Sequence, residues 1–330
     1  MKLSAGTKKN ATVTLGLKKL IDTYDVSNMA EGMSPKTTCW YTSNLKAFIE
    51  YLEVEHNLCD LASFNIDTVR KYILYLRDRP KFQGHTYIPV QTTTLSPRSL
   101  QCHVRTLKAF SSWLHAEGYT DENHLQNLKL PKAPVTVMEP LTPQEIEKIT
   151  ASINKKSTIG ARNHAIIATL LDTGMRVSEL AGITLGNLNL TDGYIKIMGK
   201  GSKERIVPIG KYVRRILGDY IDRSRPKPAS QDISNLFLTT DGKPITGNTL
   251  KLLFTRLAKS SGIKRLHAHL CRHTFAINYL LNGGDIFSLR EILGHTTLEM
   301  VNHYLHFTSS QITAQHHKYS PMDKLQGESI

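Results

Sequence analysis

Residues 267–304 read HAHLCRHTFAINYLLNGGDIFSLREILGHTTLEMVNHY, and the rest of the chain is organised around them. The stretch reads as a run of short helices whose turns would gather His269, Arg272, His295 and Tyr304 at one site. The residue types are suggestive together. A guanidinium gives a planar, two-pronged grip on a phosphate, imidazoles donate hydrogen bonds or move protons near neutral pH, and a tyrosine hydroxyl can act as a covalent nucleophile. Such a set suits phosphoryl transfer without a metal.

Composition narrows the partner. A chain of 330 residues exceeds the size at which single cores usually stop growing, so two domains are expected. Apolar residues at 40% and charged residues at 21% describe an ordinary globular protein. The 42 Lys and Arg against 28 Asp and Glu leave a formal charge of +14, which favours a polyanion. A surface excess serving solubility is the plainer reading of the same number. Anionic membrane is the weaker partner because no long amphipathic basic helix stands out, so nucleic acid is favoured. The four cysteines are scattered without a C-x-x-C pair, and the longest apolar stretch, at 165–171, is too short to cross a bilayer. A reduced, cytoplasmic protein is expected.

Taken in order, residues 11–25 predict a first short helix. Ser34-Pro35 opens a second that carries Tyr41, Leu45, Phe48 and Leu52 at helical spacing. Ile66, Val69, Ile73 and Leu76 form the stripe of a third, and Ser96-Pro97 opens a fourth with Leu100, Val104, Leu107 and Leu114. These helices predict a small bundle over 1–125. Its basic residues include Arg70, Lys71, Arg98, Arg105 and Lys108, each a solvated face position taken singly and together a candidate DNA surface. Periodicity then disappears over 126–141, where Pro131, Pro134 and Pro140 predict an extended linker.

Thr142-Pro143-Gln144-Glu145 has the form of a capping box and starts the second domain, predicted to run to 305. A largely buried helix over 160–173 ends at Gly174, a candidate left-handed cap, so Arg176 is held at the entrance of the next short helix. Arg176 also reads simply as a surface arginine paired to Glu179. Residues 193–209 alternate apolar and polar around Gly-Lys-Gly-Ser, a β-hairpin with Lys200 in the turn and Lys203 and Arg205 just beyond it. So basic a hairpin is expected to lie against phosphates, although lysine on an edge strand also guards against aggregation. A short strand at 236–239 and a helix at 250–257 follow. Residues 306–330 form a tail, either a frayed terminus or an arm that docks on a neighbouring protomer.

TGMRVSEL, the GKGSKER hairpin, HLCRH, ILGH and the following Tyr304 occur in one order at spacings similar to those of the tyrosine recombinases, which include phage integrases and Xer-type resolvases. The motifs span roughly 140–305, and the N-terminal bundle resembles the family's SAM-like core-binding domain by architecture alone. The implied fold is mainly α with a small β-sheet. By resemblance, Arg176 and Arg272 correspond to two clamp arginines, Lys200 to the hairpin lysine, His269 and His295 to the two histidines, and Tyr304 to the nucleophile. HLCRH departs from the usual pattern by placing Cys271 where leucine is common; a packing change is expected, since cysteine is small and readily buried.

The resemblance implies a site-specific recombinase that cleaves and rejoins double-stranded DNA at recombination sites through a 3′-phosphotyrosyl bond, with four protomers assembled on two sites and weak association or monomers off DNA. No cofactor and no metal are expected. The alternating His267, His269, Cys271 and His273 could suggest zinc, but a helix would scatter them. Glu179 and His273 are expected to orient their neighbours. Without the upstream motifs, Tyr304 beside His303 and Leu305 would read as an interface tyrosine. A type IB topoisomerase-like relaxing enzyme and an inactive DNA-binding regulator are the alternatives. The length leaves no room for an additional arm-binding domain, which suits a simple Xer-like or mobile-element recombinase.

Overall fold

The computed structural model describes residues 16–56, 60–81, 83, 89–134, 138–198 and 204–294. Lys200, Lys203, His295, Tyr304 and the tail 306–330 lie outside them. The chain divides into two compact units, Met1–Thr136 and Val137–Ile330.

In the first unit, α1 (Leu17–Ala30) buries Leu17, Leu20, Ile21 and Tyr24 on one stripe. It runs further than the helix expected at 11–25, because nothing breaks the periodicity until Gly32, whose φ of 79° turns the chain. Helix α2 (Pro35–His56) points Leu45, Phe48, Ile49 and Leu52 inward, and the Ser34 hydroxyl accepts the Thr37 N–H at 3.2 Å. Helix α3 (Ile66–Asp78) is capped by the Asn65 side chain, and α4 (Pro97–Ala116) by Ser96 with Pro97 in the first turn. Aromatic rings hold the four together: Phe48 lies 5.0 Å from Tyr72, Phe64 5.4 Å from Phe110, and Tyr24 5.1 Å from Trp113.

The chain after α4 stays on this core. Leu125 and Leu128 are buried in it, so the start of the proline-bearing segment packs as part of the bundle. The Lys108 ammonium donates to the carbonyls of Leu125, Gln126 and Leu128 at 3.0, 2.9 and 2.8 Å. An ammonium carries three donors, so this side chain is an internal pin.

In the second unit, α5 (Pro143–Ala151) opens with the full capping box: Thr142 accepts the Glu145 N–H at 3.2 Å and Glu145 accepts the Thr142 N–H at 2.9 Å. Helix α6 (Thr158–Thr173) buries Ala165, Ile166, Ile167 and Leu170 and ends at Gly174 with φ 59°. Helix α7 (Val177–Ala181) follows at once. Strands β1 (Leu188–Asn189), β2 (Tyr194–Met198) and β3 (Glu204–Pro208) form an antiparallel sheet in that order, with Ile195 opposite Val207. Ile195, Ile197 and Val207 face the core and Lys196 faces out, as the alternation requires.

Helices α8 (Lys211–Asp219), α9 (Gly247–Ser261), α10 (Ala268–Leu281) and α11 (Ile286–Leu293) follow among the described residues, and α6 packs between α10 and α8. Two sequence expectations change. Residues 236–239 form no strand, because Leu238 makes only an isolated bridge to Pro244, although Leu236, Phe237 and Leu238 are fully buried. The two-residue β1 and helix α8 were not anticipated. No described helix is long and apolar enough to cross a membrane.

Two substitutions test this packing. Lys108→Met strands three carbonyls near the first core and should lower stability by roughly 2–3 kcal/mol, measured by urea unfolding. Gly174→Ala meets a left-handed backbone, and its added carbon would sit 2.4 Å from the Phe275 ring. A loss of roughly 2–4 kcal/mol is expected from strain and overpacking together.

Candidate active site

Three elements of the second unit bring their side chains to the carboxyl end of α11. The first is the turn after α6. Gly174 reverses the chain in the left-handed region, Met175 is buried behind it, and Arg176 takes an extended backbone at the N-cap of α7. Three residues on, Glu179 folds back: its carboxylate accepts the Arg176 backbone N–H at 2.7 Å and the Arg176 Nη1 at 2.9 Å. The expected pair therefore forms, and it orients an arginine that stays one-third exposed.

The second element is α10. Arg272 projects from it into the interior, buried to 6% exposure, and donates to the Gly174 carbonyl at 2.8 Å and the Leu293 carbonyl at 2.9 Å. Arg176 approaches the same corner, donating to Leu293 O at 3.5 Å and Gly294 O at 3.4 Å. Two guanidiniums 96 positions apart thus share one carbonyl. The last carbonyls of a helix lack helical partners and carry its negative dipole end, so this is a favourable place to hold cations before a substrate arrives.

His269 sits one turn before Arg272 on α10, exposed at the mouth of the cluster. Partial burial lowers its pKa first, and the charges of His267, Arg272 and Arg176 lower it further. The imidazole is therefore neutral at pH 7 and able to accept a proton. His273 turns elsewhere: its Nε2 donates to the Met138 carbonyl, tying α10 to the segment before α5. Cys271 lies between them in the hydrophobic core at 0% exposure, and burial pushes its thiol up to about 12. It packs as a small apolar residue. Among the described residues, no group of His, Cys, Asp or Glu side chains is arranged to hold a metal ion.

The third element is β3. Arg205, read from the sequence as a DNA contact, donates Nη1 and Nη2 to the two oxygens of Glu179, both at 2.9 Å, and Nε to the Ile292 carbonyl at 3.0 Å. Its side chain is 13% exposed. Glu179 is 7% exposed, and although burial favours its neutral form, the Arg205 and Arg176 bonds hold its carboxyl below the usual range. Sequence reasoning missed this role because a basic hairpin offers the same residue types for phosphates and for a buried carboxylate. No local signal was available, because Arg205 lies 26 positions from Glu179 and only the fold brings them together.

Of the remaining basic positions in the first unit, Lys71, Arg98 and Arg105 are exposed, and Arg70 is exposed beside Asp67 at 3.1 Å. Lys108 is engaged internally as described. The hairpin tip with Lys200 and Lys203, and the positions His295 and Tyr304, lie outside the described residues, though Gly294 brings the chain to the cluster immediately before His295.

Residues 139–311 match the phage integrase family. The tyrosine recombinase XerD of Listeria innocua is 28% identical over 294 residues, covering 88% of this chain and 94% of its own length. XerC of Bacillus pumilus is 30% identical over 290 residues, covering 83% and 95%. Among solved structures, the Tn1549 transposon integrase in complex with transposon right end DNA has a TM-score of 0.70 at 20% identity, over 93% of this chain and 100% of that one. The XerH site-specific recombinase bound to a palindromic difH substrate has a TM-score of 0.66 at 21% identity, over 93% and 84%. These two similarities concern the fold. The clustered arginines, the mainly helical fold with its small sheet and the match across the second unit agree, and the chain belongs to the phage integrase family of tyrosine recombinases, a site-specific recombinase that cleaves and rejoins DNA.

Proposed function

We propose that Tyr304 is the nucleophile of this recombinase and that Arg176, Arg272, His269, His295 and Lys200 serve it. The observation that supports this most is the meeting of Arg176 and Arg272 at the Leu293 carbonyl, with His269 beside them. Attack by the Tyr304 oxygen on a DNA phosphorus loads negative charge onto the non-bridging oxygens. Two preorganised guanidiniums and a histidine donor from position 295 stabilise that charge. The phenol proton passes to neutral His269. The phosphorus–5′-oxygen bond breaks as the phosphorus–tyrosine bond forms, and Lys200 protonates the leaving 5′-oxygen. A 3′-phosphotyrosyl bond results, close in energy to the bond broken, so a 5′-hydroxyl from a second strand reverses the step without ATP.

The substrate is duplex DNA carrying a recombination site. The first unit acts as the core-binding domain, with Arg70, Lys71, Arg98 and Arg105 on phosphates, and Lys203 adds a contact from the hairpin. Lys108 and Arg205 leave this set, because their donors are engaged within the protein. Recombination takes two sites and four protomers, weakly associated or monomeric off DNA, with the tail 306–330 docking between neighbours. The working compartment is the cytoplasm, where the DNA lies. The relatives are recombinases by name, which does not favour a relaxing enzyme or an inactive regulator.

A nicked suicide substrate tests the chemistry. Wild-type protein should become covalently attached to it, and Tyr304→Phe should give no adduct; an adduct from the phenylalanine variant would remove Tyr304 from its role. The acid limb of the pH profile tests His269. Because its pKa is lowered, the base stays neutral through pH 7 and protonates only below its ordinary value of about 6.5. Single-turnover cleavage should hold steady from about pH 8 to 6.5 and then fall with acid, and His269→Gln should flatten that fall while slowing the plateau by about 10²-fold.

A further inference from the structure

Glu179 is saturated. A carboxylate offers about four lone-pair sites, and here they receive the Arg176 backbone N–H, the Arg176 Nη1, and the Nη1 and Nη2 of Arg205. The two arginines hold it differently. Arg205 forms the parallel two-pronged pair, buried to 13% exposure, whereas Arg176 reaches one oxygen with one nitrogen and remains 34% exposed. A two-pronged pair is the stronger geometry, and a carboxylate with 7% exposure demands partners.

The same guanidinium supports the other end of Arg176. Its Nε bonds Ile292 O, and its plane lies so close under Gly294 that a side-chain carbon there would come 3.0 Å from Arg205 Cζ. Gly294 takes a φ of 62°, and its carbonyl accepts from Arg176 Nη2.

We propose that Arg205 is a positioning residue for recombination: by filling both oxygens of Glu179 and bracing the turn at Gly294, it prevents Glu179 from drawing Arg176 into a two-pronged pair and keeps that arginine available to the scissile phosphate. This rests on the clamp role of Arg176 given above. Without Arg205, the nearest cation able to satisfy the vacated sites on Glu179 is Arg176 itself, already 2.9 Å away. A lysine at 205 supplies the charge without the fork, so it restores the arrangement only in part.

The test compares single-turnover cleavage of a nicked suicide substrate, at saturating DNA, for wild type, Arg205→Lys, Arg205→Gln, Arg176→Ala and the Arg205→Gln/Glu179→Gln double variant. Each is assayed on an ordinary phosphodiester and on a methylphosphonate at the scissile position, whose uncharged methyl removes one negative charge from the transition state and with it the need for one clamp cation. Arg205→Gln should slow phosphodiester cleavage about tenfold or more while DNA affinity changes by less than about threefold. On the methylphosphonate its deficit should shrink to within about threefold of wild type, as for Arg176→Ala, and the double variant should recover at least about threefold on the phosphodiester because no carboxylate remains to divert Arg176. Arg205→Lys should fall between wild type and Arg205→Gln, and it serves as the single variant if Arg205→Gln does not fold. Equal deficits on both substrates would overturn the proposal in favour of a purely structural role. Weakened affinity and a shallower salt dependence with normal saturated cleavage would return Arg205 to DNA contact. Normal phosphodiester cleavage by Arg176→Ala would instead overturn the clamp itself, and the proposal with it.

Discussion

The carboxyl end of α11 presents carbonyls that no helical N–H can reach, and three guanidiniums take them: Arg205 at Ile292, Arg176 and Arg272 at Leu293, and Arg176 again at Gly294. Each arginine comes from a different part of the unit. Arg176 depends on the left-handed stop at Gly174, Arg205 on the register of the β2–β3 pair, and Arg272 on an α10 whose apolar face is buried against α6. The packing of the unit is what delivers three like charges to one place. Glu179 and the negative end of the helix dipole make that concentration tolerable.

On the clamp roles proposed for Arg176 and Arg272, that arrangement has a functional sense. Charge stabilisation is most effective when donors are fixed before the charge develops, since little reorganisation is then needed during reaction. Carbonyls are suitable placeholders, being neutral, weaker partners than a phosphate. The cysteine at 271 fits the same logic: beside a buried arginine, a thiol held neutral by burial adds volume without adding charge.

Much of this was legible in the sequence because it depends on local rules. The capping box at Thr142, the Ser34-Pro35 and Ser96-Pro97 starts, the glycine stop at 174 and the alternating hairpin strands each follow from a few neighbouring residues. Helix α8 had its own signal, Val213, Ile216 and Leu217 at helical spacing, but Lys211, Arg214 and Arg215 interleave with that short apolar stripe and obscure it. The misread strand at 236–239 is a buried apolar run, which periodicity alone cannot distinguish from any other buried segment. Partner choice was the least legible. Lys108 and Arg205 both read as phosphate contacts in the sequence, and only tertiary placement hands one to three carbonyls and the other to Glu179.

The most direct measurement is a crystal structure of Tyr304→Phe bound to a duplex recombination site. The account predicts guanidinium nitrogens of both Arg176 and Arg272 at about 3 Å from non-bridging oxygens of one phosphate, with the Arg205–Glu179 pair intact behind them. A bound phosphate touched by neither arginine, or by Arg205 with its Glu179 pair broken, would contradict it.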